Sequence, residues 1–234
     1  VGVLRGLEES HIPIRAIVGV EMGAMIGTIW AISNSNYLEW EIHKFHRADL
    51  LDVPLLGLRD GTAVGKRYFK FLDASVKIDN LKKTKIPVTV VSAGVGMAKD
   101  GVLVESAGSA KDILRGAIGL DTILRSHTWN SIERESAVLQ NPMPVDVAKK
   151  MGLGKTLCVD AVGSGEVTHS KNGIETRIAT IMHSVATNVQ QVIKDCDSSI
   201  VVAVDSVGYL DFDAKANLVY QGKIAAQKWV EQNK

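Results

Sequence analysis

The sequence predicts an α/β fold built on a mostly parallel sheet, and two observations carry that expectation. Short apolar runs rich in β-branched residues recur along the chain, and stretches with helical spacing separate them. The strand candidates are Ile14–Val18, Ile86–Val91, Val102–Val104, Thr156–Val162 and Ser199–Val204. The clearest helix runs through Ile178, Ile181, Met182, Val185, Val189, Val192 and Ile193, whose i, i+3, i+4 and i+7 spacing puts them on one face. Strands alternating with helices imply parallel pairing with both sheet faces covered.

Composition bounds the rest. The chain has 234 residues, 46% of them hydrophobic, enough to bury a substantial core. The sequence shows no internal repeat, low-complexity segment or linker, so residues 1–234 are expected to form a single domain. Lys and Arg total 27 against 26 Asp and Glu, a net charge of +1 that gives no electrostatic reason to bind nucleic acid or an anionic membrane. Any lipid contact must come from apolar surface. No run approaches the roughly 18 apolar residues of a transmembrane helix, and no signal-like segment opens the chain. Cys158 and Cys196 have neither a zinc-like nor a C-x-x-C spacing, so both read as small core hydrophobes. A reducing, cytoplasmic setting follows as the default, with a signal upstream of Val1 left open.

The first strand runs into Gly19-Val-Glu-Met-Gly23 and then into the helical Ala24–Trp30. This has the form of a nucleophile elbow, in which glycines let a strand turn sharply into a helix and the central residue is held strained at the helix N-terminus. The central residue here is Glu21. On these five residues alone, Gly19 and Gly23 also read as glycines that simply let a helix approach a strand closely.

The flanking residues extend the pattern. Gly2–Gly19 followed by Met22–Gly27 resembles the signature of bacterial patatin-like proteins: a helix, a short turn, a strand and the elbow, in ungapped spacing. Gly57–Gly61 through Leu72 resembles the segment that closes the active-site side of that family, and Ile86–Val91 its next strand. Asn141–Gly152 is similar to the run after the family's catalytic aspartate, and Tyr209–Asp213 with Gly222–Ala226 to its C-terminal helix region. The resemblance to the patatin-like phospholipase family implies a three-layer α/β/α sandwich. It also implies an apolar crevice at the strand ends around Glu21, and a lipid or acyl-chain ligand.

The family's chemistry is lipid acyl ester hydrolysis by a Ser-Asp dyad, with a glycine-rich loop donating N–H groups to the oxyanion. Carried over residue by residue, the serine position holds Glu21, and the aspartate position, five residues before Asn141 and Pro142, holds Ser136. Both dyad positions are substituted. The glycine-rich loop and first strand belong before Gly2 and are expected to lie outside the chain. Two further family stretches fall on Ser92–Val95 and on Arg115–Asp121, where only Arg115 matches.

A carboxylate attacking an ester would give a mixed anhydride, higher in energy than the ester, from which the alkoxide is recaptured. Glu21 therefore reads as a group that caps the helix and fills its anion site, kept charged by the helix dipole. The resemblance then implies a patatin-like protein that binds without hydrolysing. The rival is an active acyl hydrolase using other residues. A Ser, Thr or Cys side chain beside a carboxylate at the elbow would distinguish the two.

Other patterns carry less. Met151–Thr156 fails as a phosphate-binding loop because Lys149 stands where a glycine is needed, and it reads instead as a helix end capped by Gly152. Glu39, His43 and His46 could share a helix face, but an exposed polar face explains that spacing without a metal. His11, His127, His169 and His183 are scattered. No cofactor or metal is implied, and oligomeric state is left open.

Overall fold

A computed structural model describes residues 1–52, 63–96, 101–120, 123–164 and 173–233. The expected family segment at Gly57–Gly61, and also Asp121 and His169, lie outside the described residues. Strand β1 (Ile17–Val20) runs parallel to β2 (Val88–Gly94), with Val20 level with Val91. Strands β3 (Val102–Glu105) and β5 (Ile132–Ser136) both run antiparallel to β2, and β4 (His127–Trp129) is antiparallel to β5. Because β3 overlaps the partners of both β1 and β5 along β2, those two strands follow one another along its opposite edge. A second sheet pairs β6 (Leu157–Asp160) with β7 (Ser198–Val201) in parallel.

The architecture is α/β, but the larger sheet is mixed rather than mostly parallel. The cause is local. Residues 95–101 are too few for the crossover of about a dozen residues that parallel pairing requires, so β3 must return antiparallel. Strands β4 and β5 are joined by Asn130 and Ser131, both with positive φ (50° and 60°), as a two-residue hairpin of the primed type demands.

Helices cover both faces. On one side of the larger sheet α2 (Glu21–Ile32), α5 (Lys66–Ser75) and α6 (Ala110–Ile118) bury Ala24, Met25, Ile29, Tyr68, Leu72, Ile113 and Leu114 with Val88 and Val90. Helix α2 is apolar on nearly every side, which suits a helix sunk in the core. On the other side Val91 and Ala93 meet Ala137 and Val147, the latter from α7 (Val145–Lys150). Side chains alternate along a strand, so Ser92 lies on the α2 side with Val88 and Val90. Ser136, level with Ser92, lies there too.

Around the smaller sheet, α1 (Gly2–Glu9) and α9 (Lys215–Gln232) cover Ile200 and Val202, while α8 (Gly173–Val192) covers Cys158 through Val185 and Val189. A Cβ on Gly6 would stand 2.7 Å from that of Ala226, so α1 and α9 pack nearly backbone to backbone. The short α3 (Ser35–Lys44) and α4 (Arg47–Leu50) complete the helices, and Lys215 donates to the carbonyls of His43 and Phe45 at the end of α3. The helix C-terminus expected at Gly152 is present: α7 stops at Lys150 and Gly152 takes φ +64°.

The reading of the cysteines is overturned. Cys158 and Cys196 form a disulfide with Cα atoms 6.0 Å apart, tying β6 to the approach of β7. Thirty-eight residues separate them in sequence, and the parallel pairing of β6 with β7 brings them together. A cystine belongs to oxidising compartments, which sets it against the reducing setting that the spacing suggested. No helix among the described residues is long and apolar enough to cross a membrane.

Candidate functional site

The chain leaves β1 at Val20 and enters α2 at Glu21, which has φ +51°. For a non-glycine residue this left-handed conformation costs about 1–2 kcal/mol, and it persists only where the surroundings leave no other path. Here those surroundings are two close approaches. A Cβ on Gly19 would stand 2.6 Å from Ala24 Cα, and one on Gly27 would stand 2.7 Å from Ile17 Cγ2. Strand and helix are therefore almost in contact at both points, and the first residue of α2, Glu21, must make the turn. Gly23 plays no part in this packing: it is exposed, and a Cβ there would meet nothing within 4 Å. Of the two glycines singled out in the sequence, Gly19 is required sterically, and Gly27 takes the role expected of Gly23.

Burial pushes the Glu21 carboxyl up to about 7, and among the described residues no counter-charge or hydrogen bond opposes it. The helix N-terminus therefore does not hold Glu21 fully charged near neutral pH, as the sequence suggested it would. A helix dipole is worth about 0.3–1 kcal/mol, whereas moving a carboxyl from 4.5 to about 7 corresponds to roughly 3 kcal/mol against the charged form. Desolvation wins. Nor does Glu21 cap α2, since the helix start carries no side-chain capping bond.

Ser136 ends β5 opposite Ser92. Its Oγ accepts from the Val138 N–H (3.1 Å), which ties the turn after the strand. No hydrogen bond joins it to Glu21, and among the described residues no Ser, Thr or Cys side chain is bonded to the elbow carboxyl. The two family dyad positions are thus both substituted and not bonded to each other.

Three residues that sequence reasoning did not assign together add polar groups on the α2, α5 and α6 side of the larger sheet. Tyr68 Oη, Ser92 Oγ and Arg115 Nε are buried without a hydrogen-bond partner. Burial drives the Tyr68 phenol well above its usual range, the negative charge of Glu21 adds to this, and Arg115 opposes it, so Tyr68 lies within electrostatic reach of both. Arg115 pairs outward with Asp73 (3.1 Å) and Asp112 (3.6 Å), its guanidinium 4.9 Å over the Phe69 ring. All three fall inside stretches compared with the family, Tyr68 in Gly57–Leu72, Ser92 in Ser92–Val95 and Arg115 in Arg115–Asp121, but of the last two stretches only Arg115 matches, and the sequence singles out none of the three as a site residue.

His127 Nε2 lies 3.0 Å from Asp112 Oδ1, and Asp112 also accepts from Ser109 Oγ. The carboxylate stands between hydroxyl and imidazole, so the imidazole does not touch the serine and the trio is not a Ser-His-Asp triad; Ser109 and Asp112 instead cap the N-terminus of α6, where Ser109 Oγ also accepts from the Asp112 N–H. Glu39 and His43 sit 3.9 Å apart on α3, but His46 starts α4, bonded to Asp49, so the three do not share one helix face. No family model matches the chain, and no curated protein matches it.

Proposed function

We propose that this chain is a patatin-like α/β/α protein that binds a long-chain amphiphile at the elbow and does not hydrolyse it. The observation that carries the reading is Glu21 at φ +51° between β1 and α2, a strained strand-to-helix turn of the kind nucleophile elbows use, holding a carboxylate where that family has its serine.

Chemistry supports the absence of hydrolysis. Ester cleavage through a covalent intermediate needs a nucleophile and a base that takes its proton. Glu21 would give only an anhydride that reverses, and among the described residues no hydroxyl or thiol is bonded to it to be activated. Packing supports binding. Met22, Ile26 and Trp30, at i, i+4 and i+8 on α2, form a partly buried apolar stripe that starts beside the elbow. Such a stripe suits one acyl or alkyl chain.

The test is an esterase assay on aryl esters and phospholipids, combined with labelling by a serine-directed fluorophosphonate. The expected result is turnover at background and no label. Saturable hydrolysis abolished by the fluorophosphonate would overturn the reading.

A further inference from the structure

Buried polar atoms without partners are few in native interiors, because each gives up its hydrogen bonds to water without replacement. In this molecule the unpartnered Tyr68 Oη, Ser92 Oγ and Arg115 Nε gather on the side of the larger sheet that carries α2, α5 and α6. Tyr68 and Ser92 are both 0% exposed. Ser92 is the residue after Val91, and Val91 is level with Val20, so Ser92 is the next position of the neighbouring strand as the chain turns at Glu21. Tyr68, in the core that α2 and α5 share, is within electrostatic reach of both Glu21 and Arg115. Of the residues in this group on the elbow side, Glu21 is partly exposed, so the elbow itself reaches the surface.

The hydrogen-bonding inventory of these groups selects a ligand. An ionised Glu21 accepts only, Arg115 Nε–H donates only, and the two hydroxyls do both. An ester carbonyl accepts only; it would meet the phenol or the Nε–H and leave the carboxylate facing an acceptor. A ligand carboxylate sets like charge against Glu21 in a partly dry place. A hydroxyl donates to the carboxylate while it accepts from the phenol or the Nε–H, and so joins groups that cannot satisfy one another at a distance.

We propose that Glu21, Tyr68 and Ser92, flanked by Arg115, form a head-group site for the hydroxyl of a long-chain alcohol. This assignment rests on the reading that the elbow binds an amphiphile. It makes the site selective for what the ligand carries at its polar end, beyond the length of its chain.

The experiment is calorimetric titration of the intact protein with decanol, methyl decanoate and decanoate, at about pH 8, above the value near 7 at which Glu21 titrates. One extra net hydrogen bond of about 1 kcal/mol corresponds to roughly fivefold. Decanol is expected to bind about fivefold more tightly than methyl decanoate, with decanoate weakest. Tyr68→Phe and Ser92→Ala, each removing one oxygen, should shrink the preference for decanol severalfold, while the comparison on unaltered protein stands even if a variant folds poorly. Equal affinity for decanol and methyl decanoate overturns the head-group assignment and leaves amphiphile binding in place. Failure of all three to bind overturns both.

Discussion

Gly19 approaches Ala24 so closely that a Cβ on the glycine would stand 2.6 Å from the alanine Cα, which makes this the point where β1 and α2 meet backbone to backbone. Gly19→Ala is expected to destabilise the protein by about 2–3 kcal/mol, because backbone rather than a side-chain tip must give way. Gly23→Ala meets no atom and is expected to stabilise α2 by about 0.4–1 kcal/mol. Urea midpoints of the two variants check this pair, and equal effects would contradict the described elbow.

The left-handed turn at Glu21 has its own signature. Glu21→Gly and Glu21→Ala both delete the carboxyl, but only glycine adopts φ +51° freely. Glycine is expected to be the more stable of the two by about 1–2 kcal/mol. At an ordinary helical position alanine would lead by about 0.5–1 kcal/mol, so the sign of the difference decides.

Titration of Glu21 gives a pH dependence. Its folded-state value, about 7, is raised above the ordinary 4.5, so the folded protein holds this proton more tightly than the unfolded chain. Stability from this group is fully present below about pH 4.5 and is lost as pH rises through about 7. Glu21→Gln removes the dependence. Its stability relative to the unaltered protein should therefore climb between those values and level off at about 2–3 kcal/mol above them. A flat difference would show that the carboxyl is solvated.

How much of this was legible in the sequence depends on the range of the interactions. The step from β1 to α2 was readable because its signals are local, a β-branched run followed by Gly19 at the turn, whereas α1 was expected only through the family resemblance. The antiparallel β4–β5 hairpin was not foreseen, since Asn130-Ser131 lacks the glycine that usually marks such a turn, although Asn130 itself tolerates positive φ. The Cys158–Cys196 bond depends on β6 lying beside β7, and no spacing rule reports that pairing. Tyr68 and Ser92 look like core residues one at a time. Their meaning lies in what surrounds their oxygens, which only the fold determines.

The disulfide makes a chemical prediction. Protein denatured without reductant is expected to show no thiol that reacts with an alkylating reagent, and two after reduction. Replacing both Cys158 and Cys196 by alanine should lower stability by about 2–4 kcal/mol, since the bond closes a loop of moderate length. Two free thiols in unreduced protein would contradict the pairing.

In the proposed function, an alkyl or acyl chain lies along Met22, Ile26 and Trp30 beside the elbow. The most direct measurement is calorimetric titration with a series of neutral alcohols of increasing length. Each methylene moved from water into an apolar site is worth about 0.8 kcal/mol before other costs, which converts to an affinity gain of up to about fourfold per carbon. The account predicts affinity that climbs by about two- to fourfold with each added methylene until the stripe is filled. Affinity independent of length, or no binding by any member of the series, would contradict it.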